Sequence, residues 1–290
     1  MTAARFWFDG SVRDAAFVAA TDHGFTIGDG LFETFVAEGQ RVVAFERHLE
    51  RMATSCRRIE LPYPGDEYVR RAVRELLQSF EPGARVRVRA TLSSGDGPPG
   101  LGRGPAARLL IAGNPAPAPA DPVNMVTVPW RRNPAGALSG IKSISKGEDV
   151  VAAQFAAARG GNEALWLNTH GQICEGSTTN LFVLAPAAGR APKPWKLATP
   201  PLSSGCLPGI ARSLVLERAA GRELSVGEET MDSSIIDHAR NGRAWLFVTS
   251  AGRGIVPVSS IDGDELPACP QAPKLSAMWG RIAAGALESV

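Results

Sequence analysis

A proline-rich segment divides this chain of 290 residues. The stretch NPAPAPADP, from Asn114 to Pro122, contains four prolines in nine residues. Proline removes a backbone donor and is excluded from helix interiors and central strands, so this composition is typical of an extended linker. We therefore predict an N-terminal small domain over residues 1–115, a linker over 116–122 and a C-terminal domain over 123–290.

Hydrophobic patterning predicts mixed α and β structure in both halves, an α/β (α+β) fold class. Upstream, ARFWFDGSVRD indicates a strand and a turn, and ARVRVRATLSS a strand. GLFETFVAEGQRVVAFERHLERM indicates two strands that run into a helix, and DEYVRRAVRELLQSF spaces its apolar residues as in an amphipathic helix. Downstream, VNMVTVPW, EALWLNT, TNLFVLA and RAWLFVTSAGRGIVPVSSIDG indicate strands. GEDVVAAQFAAARG indicates a helix closed by Gly160, and PGIARSLVLERAAG a helix with Pro208 in its first turn.

Composition favours a small-molecule ligand. The 31 basic and 29 acidic residues are spread along the chain and give a net charge of +2, which leaves no basic footprint for nucleic acid. Apolar runs stay well below the roughly 18 residues that a membrane span needs, so we expect a cytoplasmic protein without a membrane partner. Cys56, Cys174, Cys206 and Cys269 are widely separated, which predicts reduced thiols and no metal site.

Lys142 and Glu175 are candidates for chemistry. Lys142 follows a strand-like segment and precedes a helix, where the positive end of the helix dipole would lower the pKa of the lysine and free its amine as a nucleophile. Glu175 lies 33 residues later in CEGSTTN, ahead of a predicted strand. The alternative for each is an ordinary solvated surface charge.

Two small-residue turns suit an anion. LPGIAR, Leu207–Arg212, presents backbone N–H groups at a helix start, and TSAGRG, Thr249–Gly254, offers a second ring of amides. Each alone is also compatible with a plain turn. Together with a nucleophilic lysine and one carboxylate they match pyridoxal phosphate, whose aldehyde needs an amine, whose phosphate needs amides and whose pyridine nitrogen needs an acid.

The sequence resembles the fold-type IV pyridoxal-phosphate enzymes, the aminotransferase class IV family of branched-chain and D-amino acid aminotransferases and aminodeoxychorismate lyases. The similarity runs from DHGFTIGDGLFET to TSAGRGIVPVSSIDG. The family pattern Gly-hydrophobic-Lys, followed by Glu-Gly-small-x-x-Asn-hydrophobic-Phe, falls on GIK and EGSTTNLF. The resemblance implies that Lys142 bonds the cofactor aldehyde and that Glu175 contacts the pyridine nitrogen, whereas Lys146 matches no family position.

The resemblance also implies further cofactor contacts. The family's phosphate-binding arginine, in the pattern His-hydrophobic-x-Arg, corresponds to Arg51. The positions that pack on the cofactor ring or meet its phosphate with N–H groups correspond to Leu207, Gly209, Ile210, Ala251 and Gly252. Many members carry threonines where Ala211 and Ala251 stand, so phosphate affinity would rest on backbone amides and Arg51. Branched-chain members carry a tyrosine at the position of Gly147.

Substrate contacts are less well defined by the motifs. The segment IGDGLFET, which contains the candidate substrate contact Phe32, resembles the D-amino acid aminotransferase and lyase branches. Those branches usually carry a carboxylate-binding arginine where Ser94 stands. The alternatives that remain are Arg131, Arg132 and Arg253, or Arg103 if its loop folds back into the site.

The resemblance implies transamination between an amino acid, such as a D-amino acid or a related amine, and a 2-keto acid. Aminodeoxychorismate lyase, which forms 4-aminobenzoate and pyruvate, is the alternative reaction. A cofactor-free binding protein is disfavoured because Lys142, Glu175 and Arg51 are all present. The fold implied is a homodimer of two-domain subunits, with a smaller N-terminal domain, a larger C-terminal domain and the cofactor in the cleft.

Overall fold

The computed structural model describes residues 4–116, 122–187 and 193–290. They divide into two compact units. The first contains the described residues of Met1–Pro119 with Ile141–Lys146 and Ala286–Val290, and the second those of Ala120–Gly140 and Gly147–Gly285. The predicted linker, 116–122, falls mostly outside the described residues, so the predicted domain bounds stay a prediction.

Strands and helices alternate irregularly along the chain. The elements up to the proline-rich segment are β1 (Arg5–Phe8), β2 (Ser11–Arg13), α1 (His23–Thr26), β3 (Gly30–Glu38), β4 (Arg41–Val43), α2 (Phe45–Arg58), α3 (Asp66–Gln78), β5 (Arg85–Ser93) and β6 (Arg108–Pro115). Those that follow are β7 (Val123–Arg132), α4 (Gly147–Ala157), β8 (Glu163–Asn168), β9 (Ile173–Gly176), β10 (Asn180–Pro186), β11 (Trp195–Thr199), α5 (Ile210–Arg218), β12 (Leu224–Glu228), α6 (Ser234–Arg240), β13 (Trp245–Ser250), β14 (Gly254–Ile261), β15 (Asp264–Glu265), α7 (Ala272–Ala284) and β16 (Leu287–Ser289).

The first unit is an antiparallel sheet in the order β16-β4-β3-β5-β6-β1-β2, and its core lies against α2 and α3. Successive side chains of a strand point to opposite faces, so β3 and β5 each send alternate residues into this core. Opposite pairs such as Thr34 and Arg89, or Val36 and Arg87, lie on the other face. One face is therefore apolar and the other carries charge.

The helix α3 shows why these residues form a helix. Asp66 and Glu67 occupy its first turn, where negative charge stabilises the helix dipole. Val69, Val73 and Leu76 follow at helical spacing, and all three are buried in the core of the first unit. The apolar stripe thus anchors the helix to the sheet, as the periodicity predicts.

The second unit is built on a larger mixed sheet in the order β12-β11-β10-β13-β14-β7-β8-β9, with β15 paired to β14. Neighbours pair in parallel at β11–β12, β14–β7 and β7–β8, and antiparallel elsewhere. The strands β8, β10 and β13 are almost wholly buried. Of the two predicted anion-binding motifs, TSAGRG connects β13 to β14, and LPGIAR follows β11 and runs into the start of α5.

The mixed α/β class is confirmed, and most predicted elements are found. The helix α5 begins at Ile210 behind Gly209, so the expectation that Pro208 fills its first turn was wrong. Gly160 has a φ of +79° and lies in the turn after α4, which ends at Ala157. The strands β6, β9, β11, β12, β15 and β16 and the helices α1, α6 and α7 were not predicted.

Within the described ranges, the helices are too short or too polar for one of them to cross a membrane. All four cysteines are free thiols.

Candidate active site

Lys142 lies on a short segment that pairs with the start of β3. Its carbonyl accepts the Phe32 N–H at 2.9 Å, and the Ile144 N–H donates to the Gly30 carbonyl at 3.1 Å. Nζ of Lys142 is 4.3 Å from the centroid of the Phe32 ring. Strand pairing within the first unit therefore anchors the segment of Lys142 and brings the lysine together with Phe32. Lys146 directly precedes α4.

Arg51 is held by a buried carboxylate that the sequence analysis did not single out. Glu33, on the inward face of β3, accepts hydrogen bonds from Nε and Nη2 of Arg51 at 2.8 and 2.6 Å. Nδ1 of His48 lies 2.7 Å from the same carboxylate. The Glu33 side chain is only 3% exposed. Two-point contact to a carboxylate fixes the plane of a guanidinium, so Glu33 sets the orientation of Arg51.

The charge states in this cluster follow from its electrostatics. Burial alone would raise the pKa of Glu33, but Arg51 and His48 outweigh it and lower that pKa to about 2. Burial lowers the pKa of His48, and the charges of Arg51 and Lys142 lower it further against the opposing effect of Glu33. An ionised Glu33 can only accept, so Nδ1 of His48 carries the hydrogen. The cluster is one anion, one cation and a neutral imidazole.

Ser94 and Arg103 are poorly placed to bind a substrate carboxylate. Ser94 is 2% exposed, and its N–H donates to the Asp29 carbonyl at 3.1 Å. Arg103 does fold back, but Nε and Nη2 donate to the Asp29 carboxylate at 2.7 and 2.8 Å. The hydrogen bond from Arg103 is the main reason that the pKa of Asp29 is lowered. Arg103 already has its counterion.

Arg131 and Arg253, both in the second unit, differ in the hydrogen bonds that their guanidinium groups make. Nη1 of Arg131 lies 3.1 to 3.2 Å from three backbone carbonyls, those of residues 128 to 130. Nη1 of Arg253 is buried and has no hydrogen-bond partner among the described residues. The Arg253 N–H donates to Oγ of Ser250 at 3.2 Å and closes the turn between β13 and β14.

Glu175 is fixed from two sides on β9. Oε2 accepts the Leu207 N–H at 2.8 Å, and Nη2 of Arg132 lies 3.8 Å from Oε1. Arg132 also donates to Asp149 at 2.6 Å and sits over the ring of Trp166 at 4.4 Å. Burial lowers the pKa of Arg132, but the carboxylates of Asp149 and Glu175 overcome this and raise it. Arg132 therefore places a positive charge next to the Glu175 carboxylate.

The asparagine of the EGSTTN motif, Asn180, has a structural role. Its Nδ2 donates to the Leu207 carbonyl at 2.9 Å, and a Cβ added at Gly209 would overlap its Oδ1. The Gly209 N–H donates to the Leu207 carbonyl at 2.8 Å. Ile210 is the first residue of α5, where backbone N–H groups have no intrahelical acceptor. Asn180, the first residue of β10, thus joins that strand to the turn at the start of α5.

Glu163 is a second residue that the sequence analysis missed. Its carboxylate is 2% exposed at the start of β8. It accepts hydrogen bonds from Oγ of Ser177 at 2.9 Å and from N and Oγ1 of Thr178 at 2.7 and 2.8 Å. A Cβ added at Gly176 would overlap this carboxylate. Glu163 therefore organises the turn that presents Glu175.

Buried donors at one end of the second sheet fit an anion. Oγ1 of Thr179, Oγ1 of Thr249 and Nη1 of Arg253 are buried without hydrogen-bond partners within residues 4–116, 122–187 and 193–290. Asn180 pairs with Thr249 across β10 and β13, so the turns at Gly209 and at residues 250–254 lie at the same end of the sheet. Because buried donors require acceptors, this arrangement suits a phosphate.

Comparison with known proteins gives a family match. The model of the family described as amino-transferase class IV matches residues 30–261, most of the chain. A Methanocaldococcus jannaschii protein that carries the provisional name branched-chain-amino-acid aminotransferase is 29% identical over 85% of this chain and 83% of its own length. The bifunctional aminodeoxychorismate lyase / D-amino acid transaminase of Mycobacterium tuberculosis is 26% identical over 84% of this chain and 85% of that protein.

A solved structure shares the fold. The branched-chain aminotransferase of Thermoproteus uzoniensis, determined with norvaline, superimposes with a TM-score of 0.85. It is 27% identical and covers 98% of this chain and 98% of its own. The named relatives span both the transaminase and the lyase reactions.

Proposed function

This chain belongs to the class IV aminotransferases, and we propose that it is a pyridoxal-phosphate-dependent enzyme that moves an amino group between an amino acid or related amine and a 2-keto acid. Lys142 carries this proposal, because strand pairing holds its amine in place over Phe32 within the first unit. When bound, pyridoxal phosphate supplies an aldehyde that bonds amines and a ring that withdraws electrons from the substrate α-carbon.

Each candidate residue then has its own role. Lys142 would bond the aldehyde of the cofactor, and its amine would move a proton at the substrate α-carbon as general base and acid. Glu175, held by the Leu207 N–H, would accept a hydrogen bond from the pyridine nitrogen and would keep that nitrogen protonated. The proposed phosphate contacts are Arg51, the N–H groups of Gly209 and Ile210, and those of Ala251 and Gly252, with Leu207 against the ring.

Replacement of Glu175 tests the electron sink. We expect Glu175→Gln to lower kcat by roughly 100-fold or more, on the scale of removing one positioned electrostatic group, with a much smaller change in cofactor affinity. Steady-state kinetics and an absorbance titration with pyridoxal phosphate measure the two quantities. Glu148→Gln is the matched control, because Glu148 also contacts Arg132, at 3.3 Å, but is 76% exposed. An unchanged kcat in Glu175→Gln would assign the pyridine nitrogen to another residue.

Replacement of Arg51 tests the phosphate contact. A lost charge-assisted hydrogen bond weakens binding by about 1.5 to 3 kcal/mol, so we expect Arg51→Lys to raise the Kd of pyridoxal phosphate by roughly 10-fold or more. Lysine keeps the positive charge beside Glu33 but lacks the planar fork. Arg57→Lys on the exposed side of α2 is the control. Activity that survives dialysis as well as that of the unmodified enzyme would argue against the phosphate role.

The lyase reaction is the second candidate, because one relative named above catalyses it in addition to D-amino acid transamination. A panel of D- and L-amino acids with keto-acid acceptors, run beside an aminodeoxychorismate assay, separates the two. Amino-group exchange with keto acids supports the transaminase. Formation of 4-aminobenzoate and pyruvate without any keto-acid exchange would establish the lyase in its place.

We also propose a homodimer. Phe17, Phe25 and Leu101 are 84%, 75% and 85% exposed, and large exposed apolar side chains on one unit favour a contact with a second copy. Sedimentation velocity measures the mass, and a monomer at micromolar concentration would refute it. A cytoplasmic location stays a prediction.

A further inference from the structure

A tryptophan fills the space beside Gly254 in the second unit. Gly254 ends the TSAGRG turn and pairs with Ser250 across β13 and β14. Its φ is +70°, and a Cβ added there would overlap Nε1 and Cδ1 of Trp279. A side chain at position 254 and the indole ring in its present place therefore exclude each other. Glycine lets the ring pack directly against the backbone of the turn.

Trp279 belongs to a helix that contacts the elements next to both anion-binding turns. This helix, α7, packs against β14 and against α5. The strand β14 begins at Gly254, the end of TSAGRG, and α5 begins at Ile210 within LPGIAR. The buried residues of α7 are Leu275, Met278 and Ile282. One buried helix face thus supports both elements that adjoin the proposed phosphate amides.

The TSAGRG turn consists almost wholly of small residues. Apart from Arg253, its last five residues are Ser250, Ala251, Gly252 and Gly254, and glycine has more backbone freedom than any other residue. The Arg253 N–H donates to Oγ of Ser250 at 3.2 Å, at the long end of the usual range. A rigid ring packed on Gly254 restricts this backbone before a ligand binds. The ordering cost of binding is lower as a result.

We propose that Trp279 is a positioning residue for the cofactor phosphate. Its ring, packed on Gly254, holds the N–H groups of residues 251 and 252 in the orientation that binds the phosphate. This inference rests on the proposed function, in which those N–H groups are phosphate contacts. Ala251 has no hydroxyl, so the turn offers backbone donors there and their orientation determines how well they bind. Trp279 then affects the affinity for ligands that carry a phosphate.

Three substitutions separate the effect of the ring from a general effect on the second unit. Trp279→Leu removes the ring, whereas Trp279→Phe keeps an aromatic ring and removes the indole N–H. Trp195→Leu is the matched control, because Trp195 pairs with Pro186 at the opposite end of β10 from Asn180. Trp195 also packs on another ring, that of Trp245, with 5.8 Å between the centroids. The control removes the same kind of side chain from the same unit, away from the two turns.

The binding experiment uses the cofactor-depleted protein and three probes: pyridoxal phosphate, pyridoxal, which lacks the phosphate, and inorganic phosphate. Isothermal titration calorimetry measures each Kd. We expect Trp279→Leu to raise the Kd of both phosphate-containing probes roughly 3- to 10-fold, about the contribution of one hydrogen bond. The Kd of pyridoxal should change by less than about 2-fold, as should all three values in Trp195→Leu. Trp279→Phe should lose less affinity than Trp279→Leu, because the phenyl ring keeps part of the packing.

A second substitution tests the contact between the ring and the turn. Gly254→Ala adds a Cβ where the ring lies and should weaken the binding of inorganic phosphate. In the Trp279→Leu background the same substitution should have a smaller effect, because the space is then open. The strain of the positive φ is common to both backgrounds and cancels in the comparison. Additive effects would show that the ring does not act through Gly254.

Amide hydrogen exchange reports on the turn without any ligand. In the cofactor-depleted protein, the amides of residues 250–254 should exchange faster in Trp279→Leu than in the unmodified chain, whereas those of β10 should keep their rates. Failure of the proposed function would appear separately, as absence of pyridoxal phosphate uptake by the unmodified protein. The exchange rates would still decide whether Trp279 fixes the turn.

Three further outcomes would overturn the assignment. Equal losses of affinity for pyridoxal and pyridoxal phosphate would give Trp279 a general role in the stability of the second unit. Equal losses in Trp279→Phe and Trp279→Leu would show that the indole N–H binds the ligand directly. Unchanged phosphate affinity in Trp279→Leu, together with faster exchange in the turn, would show that TSAGRG is not a phosphate site.

Discussion

Lys142→Ala is expected to abolish amino-group transfer, with a fall in kcat of roughly 10⁴-fold or more, because one amine both bonds the cofactor and moves the substrate proton. Lys146→Ala, four residues away, should retain nearly full activity. Both variants should fold, since the pairing that anchors the Lys142 segment to Gly30 and Phe32 uses backbone atoms. Keto-acid-dependent release of product in single-turnover mixtures measures the fall.

Chemical labelling gives the same prediction without turnover. Borohydride reduction of the protein with bound pyridoxal phosphate should fix the pyridoxyl group to Nζ of Lys142, and peptide mapping locates it. A label on Lys146, or full activity in Lys142→Ala, would refute the assignment. The variant Lys146→Ala is the control for a general loss of positive charge in this segment.

The motif spacing predicted the mixed fold and the candidate residues, but not what holds them. The Gly, Ser and Thr residues that flank the apolar runs predicted a turn for both Lys142 and Glu175, whereas Glu175 lies on β9. The reason for the Lys142 position lies in pairing with β3, more than a hundred residues earlier, which a local pattern does not reveal. The helix-dipole argument from sequence stays a prediction.

Residues that act through tertiary contacts were missed for a physical reason. Glu33 and Glu163 are charged residues at otherwise buried strand positions, and a buried charge must have partners distant in sequence. That anomaly was visible in the strand alternation, although the partners were not.

The buried Glu33 cluster makes the free energy of unfolding depend on pH. The pKa of Glu33 is about 2 in the folded chain, against an ordinary value of 4.5. Between these values the unfolded chain binds a proton that the folded chain does not, so the free energy of unfolding falls as the pH falls through this window. The contribution of Glu33 is fully present above about pH 4.5 and is lost near pH 2. A shift of this size corresponds to about 3 kcal/mol.

Glu33→Gln should therefore lower the free energy of unfolding at pH 7 by about 3 to 5 kcal/mol, because it leaves the part-buried Arg51 without its counterion. Urea unfolding followed by circular dichroism, repeated from pH 7 to the acid limit, measures the difference between the two proteins. The difference should shrink below about pH 4.5 and nearly vanish close to pH 2, since the protonated carboxyl and the amide are then both neutral. Glu67→Gln, whose side chain is 89% exposed beside Arg70, should change stability by less than about 1 kcal/mol at every pH. A constant gap between Glu33→Gln and the unmodified protein across this range would show that Glu33 is held by packing and not by its charge.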